Sequence, residues 1–292
     1  MAINPIRKTD DKEGLVSPAI VRKTSLDTAA HRSFLSDIAI DFGDRDALGR
    51  MFLQADTRLR EKGYFVSFGT FDELMDLNKA NSDNWRPLLP IFDPAGWEPS
   101  NRNSFVVFAR DSSGKIAYAA ASRLYELGGK SLKDEIESLR ILYPDPKSQA
   151  WEGEYIDVSA PIAAKVNGRV VFTGAQWVHP EHRGANFTVS TVPITRGIAY
   201  TRWYPDLTFS FMAPEIVKAG VAWKCYMNVD WEVTMVNTPV LRNGTINAGL
   251  MWTNPQLMEA HFADVLEGTS TRRDAQIDRG IYDGPADKKL AG

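Results

Sequence analysis

Apolar residues recur at helical spacing through Leu48, Met51, Phe52, Ala55 and Leu59, with Asp44 placed to cap the run and Gly63 to stop it. An apolar strand, Tyr64 to Phe68, follows, then a short helix from Phe71 to Ala80. Trp85 to Pro99 holds too many prolines for regular structure and reads as a loop. Ser104 to Arg110 and Lys115 to Leu124 are β-prone runs joined by Asp111-Ser112-Ser113-Gly114, a hairpin with glycine where positive φ is needed. Ser131 caps a helix carrying Leu132, Ile136, Leu139 and Leu142 on one face, ended by Pro144 and Pro146. Tyr155 to Val158 is a short strand. A second hairpin is expected between Ile162–Val166 and Val170–Val178 around Asn167-Gly168, and a third between Glu232–Leu241 and Thr245–Trp252 around Asn243-Gly244. Between these two hairpins the pattern predicts helix, strand, helix over Thr188 to Tyr204, Leu207 to Met212 and Pro214 to Met227. Asn254 and Pro255 open a last helix to Leu266. Residues 1–43 read as an N-terminal arm, 44–266 as the folded domain with its helical and Pro-rich extension, and 267–292 as a polar tail.

Composition narrows the class of partner. The 292 residues are 43% hydrophobic, enough for a substantial core, and 34 Lys and Arg stand against 37 Asp and Glu. A net charge of -3 gives no basic excess to hold a phosphate backbone, so nucleic acid is not expected as a partner. The single cysteine, Cys225, cannot close an internal disulfide. The opening residues lack the apolar run of a secretory signal, and no stretch approaches the roughly 20 apolar residues of a membrane span, so the expected address is the cytoplasm, away from membranes. His31, His179, His182 and His261 show no HExxH or paired spacing, and no metal is expected. Neither a P-loop nor a Gly-x-Gly-x-x-Gly fingerprint is present.

The chemically informative segment is Val178 to Thr188. A strand ending in Val178-His179-Pro180 that enters a helix through Arg183-Gly184-Ala185-Asn186 leaves amide N–H groups without intrahelical partners. With the positive end of the helix dipole behind them, these groups form an anion site to which Arg183 adds a charge. Gly184 allows close approach to the main chain, and Asn186 tolerates a left-handed backbone. Pro193 lies in the helix interior if the helix begins at Thr188, and in its first turn if Thr191 is the cap.

From Ser104 to Trp252 the order of elements, the Phe-Val-Val-Phe-Ala-Arg-Asp hairpin with Gly114-Lys115-Ile116, the Val178-x-Pro180-Glu181-x-Arg183-Gly184 run and Tyr226-x-x-x-Asp230-Trp231 resemble the GNAT superfamily of acyl-CoA-dependent N-acyltransferases. The resemblance implies an α/β (α+β) fold with a mixed, mainly antiparallel central sheet flanked by helices, here with an N-terminal helical extension. It implies acetyl-CoA or another acyl-CoA as co-substrate and a small-molecule or peptide amine as acceptor, and it is compatible with a homodimer. By the same resemblance the main chain of Val178 serves the thioester carbonyl. The N–H groups of Arg183, Gly184, Ala185, Asn186, Phe187 and Thr188 hold the pyrophosphate, and Tyr226 is the acid. Val170 to Val178 carries no carboxylate, so Glu154 and Asp157, on the preceding segment, are the nearest candidates for the base. The alternative is a GNAT-like module without catalysis that binds a ligand or partner.

Overall fold

Asp44 starts the first helix as its side chain predicts, accepting from the N–H groups of Asp46 and Ala47. That helix, α1 (Arg45–Arg60), buries Leu48, Met51, Phe52, Ala55 and Leu59. It belongs to a computed structural model that describes residues 33–97, 100, 102–184, 186–238 and 244–268. Of the expected N-terminal arm, residues 1–32 lie outside the described residues. Residues 33–43 are packed: Phe34 meets Phe52 edge-on at 6.2 Å, and the N–H groups of Asp41 and Phe42 donate to the Thr201 carbonyl. The expected tail lies outside the described residues from Thr269 onward.

Strand β1 (Phe65–Gly69) and helix α2 (Phe71–Ala80) follow. The hairpin of β2 (Ser104–Arg110) and β3 (Ile116–Glu126) turns at Gly114, whose φ is 87°. Its long apolar runs are explained by burial on both faces of the sheet. Helix α3 (Leu132–Glu137) has the Ser131–Asp134 capping box. It ends at Glu137, well before Pro144, and Leu139 just beyond the Ser138 cap takes a left-handed backbone with φ 61°. After α4 (Pro146–Gln149) comes β4 (Tyr155–Val158).

The expected second hairpin does not form. Pro161 sits in the first turn of a short helix, α5 (Pro161–Lys165), and β5 (Arg169–Val178) pairs antiparallel with β3 on one edge and parallel with β6 (Leu207–Met212) on the other. Proline at a helix start costs no hydrogen bond, whereas in a central strand it would. The long helix α6 (Thr188–Trp203) makes the crossover from β5 to β6. The predicted helix Pro214–Met227 is broken in two, α7 (Pro214–Lys218) and α8 (Val221–Lys224), because Gly220 turns left-handed at φ 75°. Strand β7 begins at Asn228, earlier than expected, and runs to Val236. It pairs with β8 (Thr245–Thr253), and α9 (Pro255–Glu267) closes the described chain, capped by Asn254. The turn residue Asn243 lies outside the described residues, while Gly244 is seen beside Asn237, to whose carbonyl-bearing side chain its N–H donates.

Among the described residues eight strands form one sheet in the order β1-β2-β3-β5-β6-β8-β7-β4, with β5–β6 the parallel pair and every other pair antiparallel. This is the fold class expected from the sequence. One face is covered by α1, α6 and α9 and the other by α2, α3, α5 and the Pro-rich loop, each over its own apolar core. Among the described residues no helix is long and apolar enough to cross a membrane.

Candidate active site

The sheet opens where β5 and β6 part. Their parallel ladder is three residues long, Val170–Phe172 against Leu207–Phe209. Beyond it β6 pairs only with β8 and β5 only with β3, so the sheet splits into a wedge. A bulge at Ala175, with φ 53°, turns β5 further along its own axis. At the end of the strand the His179 N–H donates to the Ala117 carbonyl at 2.9 Å. Successive amides of a strand point to opposite edges, so the Val178 N–H faces away from β3 into the wedge, where β6 no longer offers an acceptor. A main-chain donor held this way is suited to a carbonyl oxygen that gains charge.

Immediately beyond Val178 the chain makes a short 3-10 turn over Pro180–His182 and enters α6 at Thr188. Gly184 and Asn186 both have positive φ, 85° and 54°, which Gly and Asn accept at the least cost. The N–H groups of Gly184, Asn186, Phe187 and Thr188 find no acceptor among the described residues, whereas the Arg183 N–H is used by the Pro180 carbonyl. A Cβ built on Gly184 would meet no atom within 4 Å, so the space above the turn is open. Ala185 lies outside the described residues. The Phe187 side chain anchors the turn, buried against Tyr64 at 4.6 Å and Tyr118 at 6.0 Å. Arg183 is exposed beside it and makes no ion pair among the described residues. With α6 starting at Thr188, Pro193 is interior to the helix.

Other expected site residues are not brought to the wedge. Glu154 and Asp157 belong to the β4 segment at the far edge of the sheet, four strand spacings or about 19 Å from β5. Asp157 is exposed opposite Thr234. Glu154 is buried, accepting from the Tyr143 hydroxyl at 2.9 Å and the Trp151 N–H at 3.0 Å, and burial holds its carboxyl above the ordinary range. Tyr226 stands after α8 in a left-handed backbone, 5% exposed, with its ring flat on His261 at 4.1 Å and its hydroxyl donating to Asp264 of α9. Its neighbour Cys225 is buried, and the Cys225 carbonyl accepts from the buried Arg196 guanidinium of α6. Trp85 and Trp177 stack at 5.0 Å beside the end of β5, with the Trp177 indole N–H donating to Asn84.

Sequence reasoning missed a polar cluster at the same turn. His179, Glu181 and His182 place ligand atoms within 4.8 Å of one another, although no metal was expected from their spacing. Tyr64 from the α1–β1 connection and Asp111 from the β2–β3 turn complete the surroundings of His182. The short His-x-x-His spacing was the available signal, and it needed the hairpin turn folded beside it. A cavity of about 530 Å³ opens elsewhere, among Phe42, Leu48, Tyr200 and Phe262.

No protein-family model matches the chain, and no curated protein matches it. Solved structures do. A variant of the spermidine N-acetyltransferase SpeG from Vibrio cholerae is 11% identical at a TM-score of 0.41, over 68% of this chain and 96% of that one. An uncharacterised protein from Bacillus halodurans is 10% identical at 0.42, over 70% and 91%. The Vibrio cholerae spermidine N-acetyltransferase in a dodecameric form is 10% identical at 0.40, over 66% and 94%. Superpositions this loose transfer no residue role and no acceptor.

Proposed function

We propose that the chain is an acyl-CoA-dependent N-acyltransferase, moving an acyl group, acetyl in the simplest case, to an amine of a small molecule or peptide. The observation that carries this reading is the wedge between β5 and β6, with the Val178 N–H facing into it and, at its mouth, four amides of the Gly184–Thr188 turn that find no acceptor among the described residues. In this reading the pyrophosphate binds Gly184, Ala185, Asn186, Phe187 and Thr188 with Arg183 beside it, and the thioester carbonyl accepts from Val178. An amine that arrives neutral can attack that carbonyl. The tetrahedral oxyanion collapses to the amide, and the departing thiolate takes up the proton the amine releases.

The test is calorimetric titration of the full chain with acetyl-CoA and longer acyl-CoAs, with Gly184→Val as the control. The parent should bind, and the variant should lose at least about tenfold in affinity, because a branched Cβ at positive φ both strains the turn and fills the ligand's approach. A parent that binds no acyl-CoA at millimolar concentration sinks the reading. A second reading is favoured by a specific observation: the Tyr226 hydroxyl is committed to Asp264, and Glu154 and Asp157 sit at the far sheet edge. It is a coenzyme-binding module without transfer. Binding with no acylated product across a panel of amines would select it.

A further inference from the structure

The polar cluster at the end of β5 has the composition and geometry of a metal-binding group. Tyr64 Oη lies 3.0 Å from His182 Nδ1, and in the tautomer in which Nδ1–H donates to the tyrosine oxygen the Nε2 lone pair is free to ligate. That Nε2 is buried, has no hydrogen-bond partner among the described residues, and looks at the Asp111 carboxylate oxygen Oδ2 from 3.7 Å. In that tautomer the lone pair and the carboxylate oxygen face one another as two donors with room for a cation between them. The other carboxylate oxygen of Asp111 is occupied by the Ser113 and Lys115 N–H groups, which hold Oδ2 in place. His179 Nδ1 lies 3.7 Å from Glu181 Oε2 and accepts from the Glu181 N–H at 3.3 Å, a bond that gives way when this nitrogen ligates.

We propose that His179, Glu181 and His182 bind a divalent transition-metal cation of the zinc type, with the Asp111 carboxylate as the donor facing His182. Two imidazoles and carboxylate oxygens suit zinc, cobalt or nickel, whereas calcium and magnesium prefer all-oxygen shells. Donors about 2.1 Å from a tetrahedral ion stand roughly 3.4 Å apart, so atoms now within 4.8 Å need contract by little more than an ångström. Tyr64 takes the orienting role that an outer hydrogen-bond partner gives a ligating histidine. Lys115 competes: its ammonium holds Glu181 Oε2 at 2.8 Å and must yield to the metal. The bound ion would fasten the β2–β3 turn to the β5–α6 turn. This site stands independently of acyl transfer.

The experiment is calorimetric titration of the tag-free full chain with Zn²⁺ at neutral pH, alongside visible spectra with Co²⁺. The expected result is one ion per chain with a d–d spectrum of low coordination number. His179→Ala and His182→Ala should each weaken binding by at least about tenfold, and Tyr64→Phe by about tenfold. Lys115→Met should bind more tightly than the parent, a gain that a misfolded variant cannot imitate. No Zn²⁺ binding by the parent, or equal binding by the His179→Ala/His182→Ala double variant, overturns the proposal. Lys115→Met affinity no higher than the parent's removes Glu181 and overturns it as stated.

Discussion

Glu154 is a buried carboxylate whose environment favours its neutral form, and that sets a sign that can be measured. Oε2 accepts from Tyr143 and the Trp151 N–H, while Oε1 has no partner among the described residues, and burial raises the pKa above its unfolded value. A carboxyl with a raised folded-state pKa contributes stability that is full below the unfolded pKa and is lost as pH rises through the folded one. Glu154→Gln should therefore stabilise the protein by on the order of 1 kcal/mol at pH 7–8 and lose that advantage below about pH 4. Denaturant melts at both pH values check this; a difference that does not change with pH would contradict it. Tyr226 presents the opposite case, a residue whose expected chemistry competes with a structural tie. Because its hydroxyl holds Asp264 and its ring covers His261, Tyr226→Phe should lower stability by roughly 1–2 kcal/mol and leave any acyl-transfer rate within about twofold. A rate loss of 100-fold at unchanged stability would restore the acid role.

Elements meet in this fold through small residues at a few close approaches. Gly197 in α6 lets α1 come against it: a Cβ there would stand 2.8 Å from Met51 Cε and from Cε1 and Cζ of Phe52. The methionine tip can move, but the Phe52 ring is itself set edge-on against Phe34. Alanine gains about 1 kcal/mol of helix propensity over glycine, and overpacking a core costs about 1–3 kcal/mol, so the clash outweighs the gain. Gly197→Ala should destabilise by about 1 kcal/mol in urea, and an increase in stability would show that α1 shifts freely. The same helix carries Pro193, which removes one backbone donor. Hydroxyls of Thr191 and Thr195, two residues before and after it, add bonds to the carbonyls of Phe187 and Thr191. The periodicity that announced α1 was legible because one face is buried and the other wet. In α6 nearly every position is buried, so the period was weak, and its start was decided by the positive φ of Gly184 and Asn186 rather than by a capping side chain.

For the molecule as a whole, the wedge divides the sheet into two halves joined by a three-residue parallel ladder and by α6 across it. A ligand that binds in the wedge touches both halves and stabilises the native state alone. At 100 times its dissociation constant acetyl-CoA should add about 2.7 kcal/mol and raise Tm by roughly 5–10 °C, with slowed amide exchange concentrated between Thr173 and Thr188. No shift at millimolar ligand would count against the proposed function. The sequence by itself determined the local elements. The amphipathic α1, the β2–β3 hairpin with Gly114, the capped starts of α3 and α9 and the strand-turn-helix at Val178 to Thr188 all follow from period, caps and turn chemistry within a few residues. Only the tertiary structure decided which strands are neighbours and which side chains meet. It sent β5 to β3 and β6 instead of to a hairpin partner, carried Glu154 and Asp157 to the far edge, gave the Tyr226 hydroxyl to Asp264, and set Asp111 and Tyr64 against His182. Those pairings join residues far apart in the chain, and their energies come from burial and contacts that no local pattern of apolar and polar positions encodes.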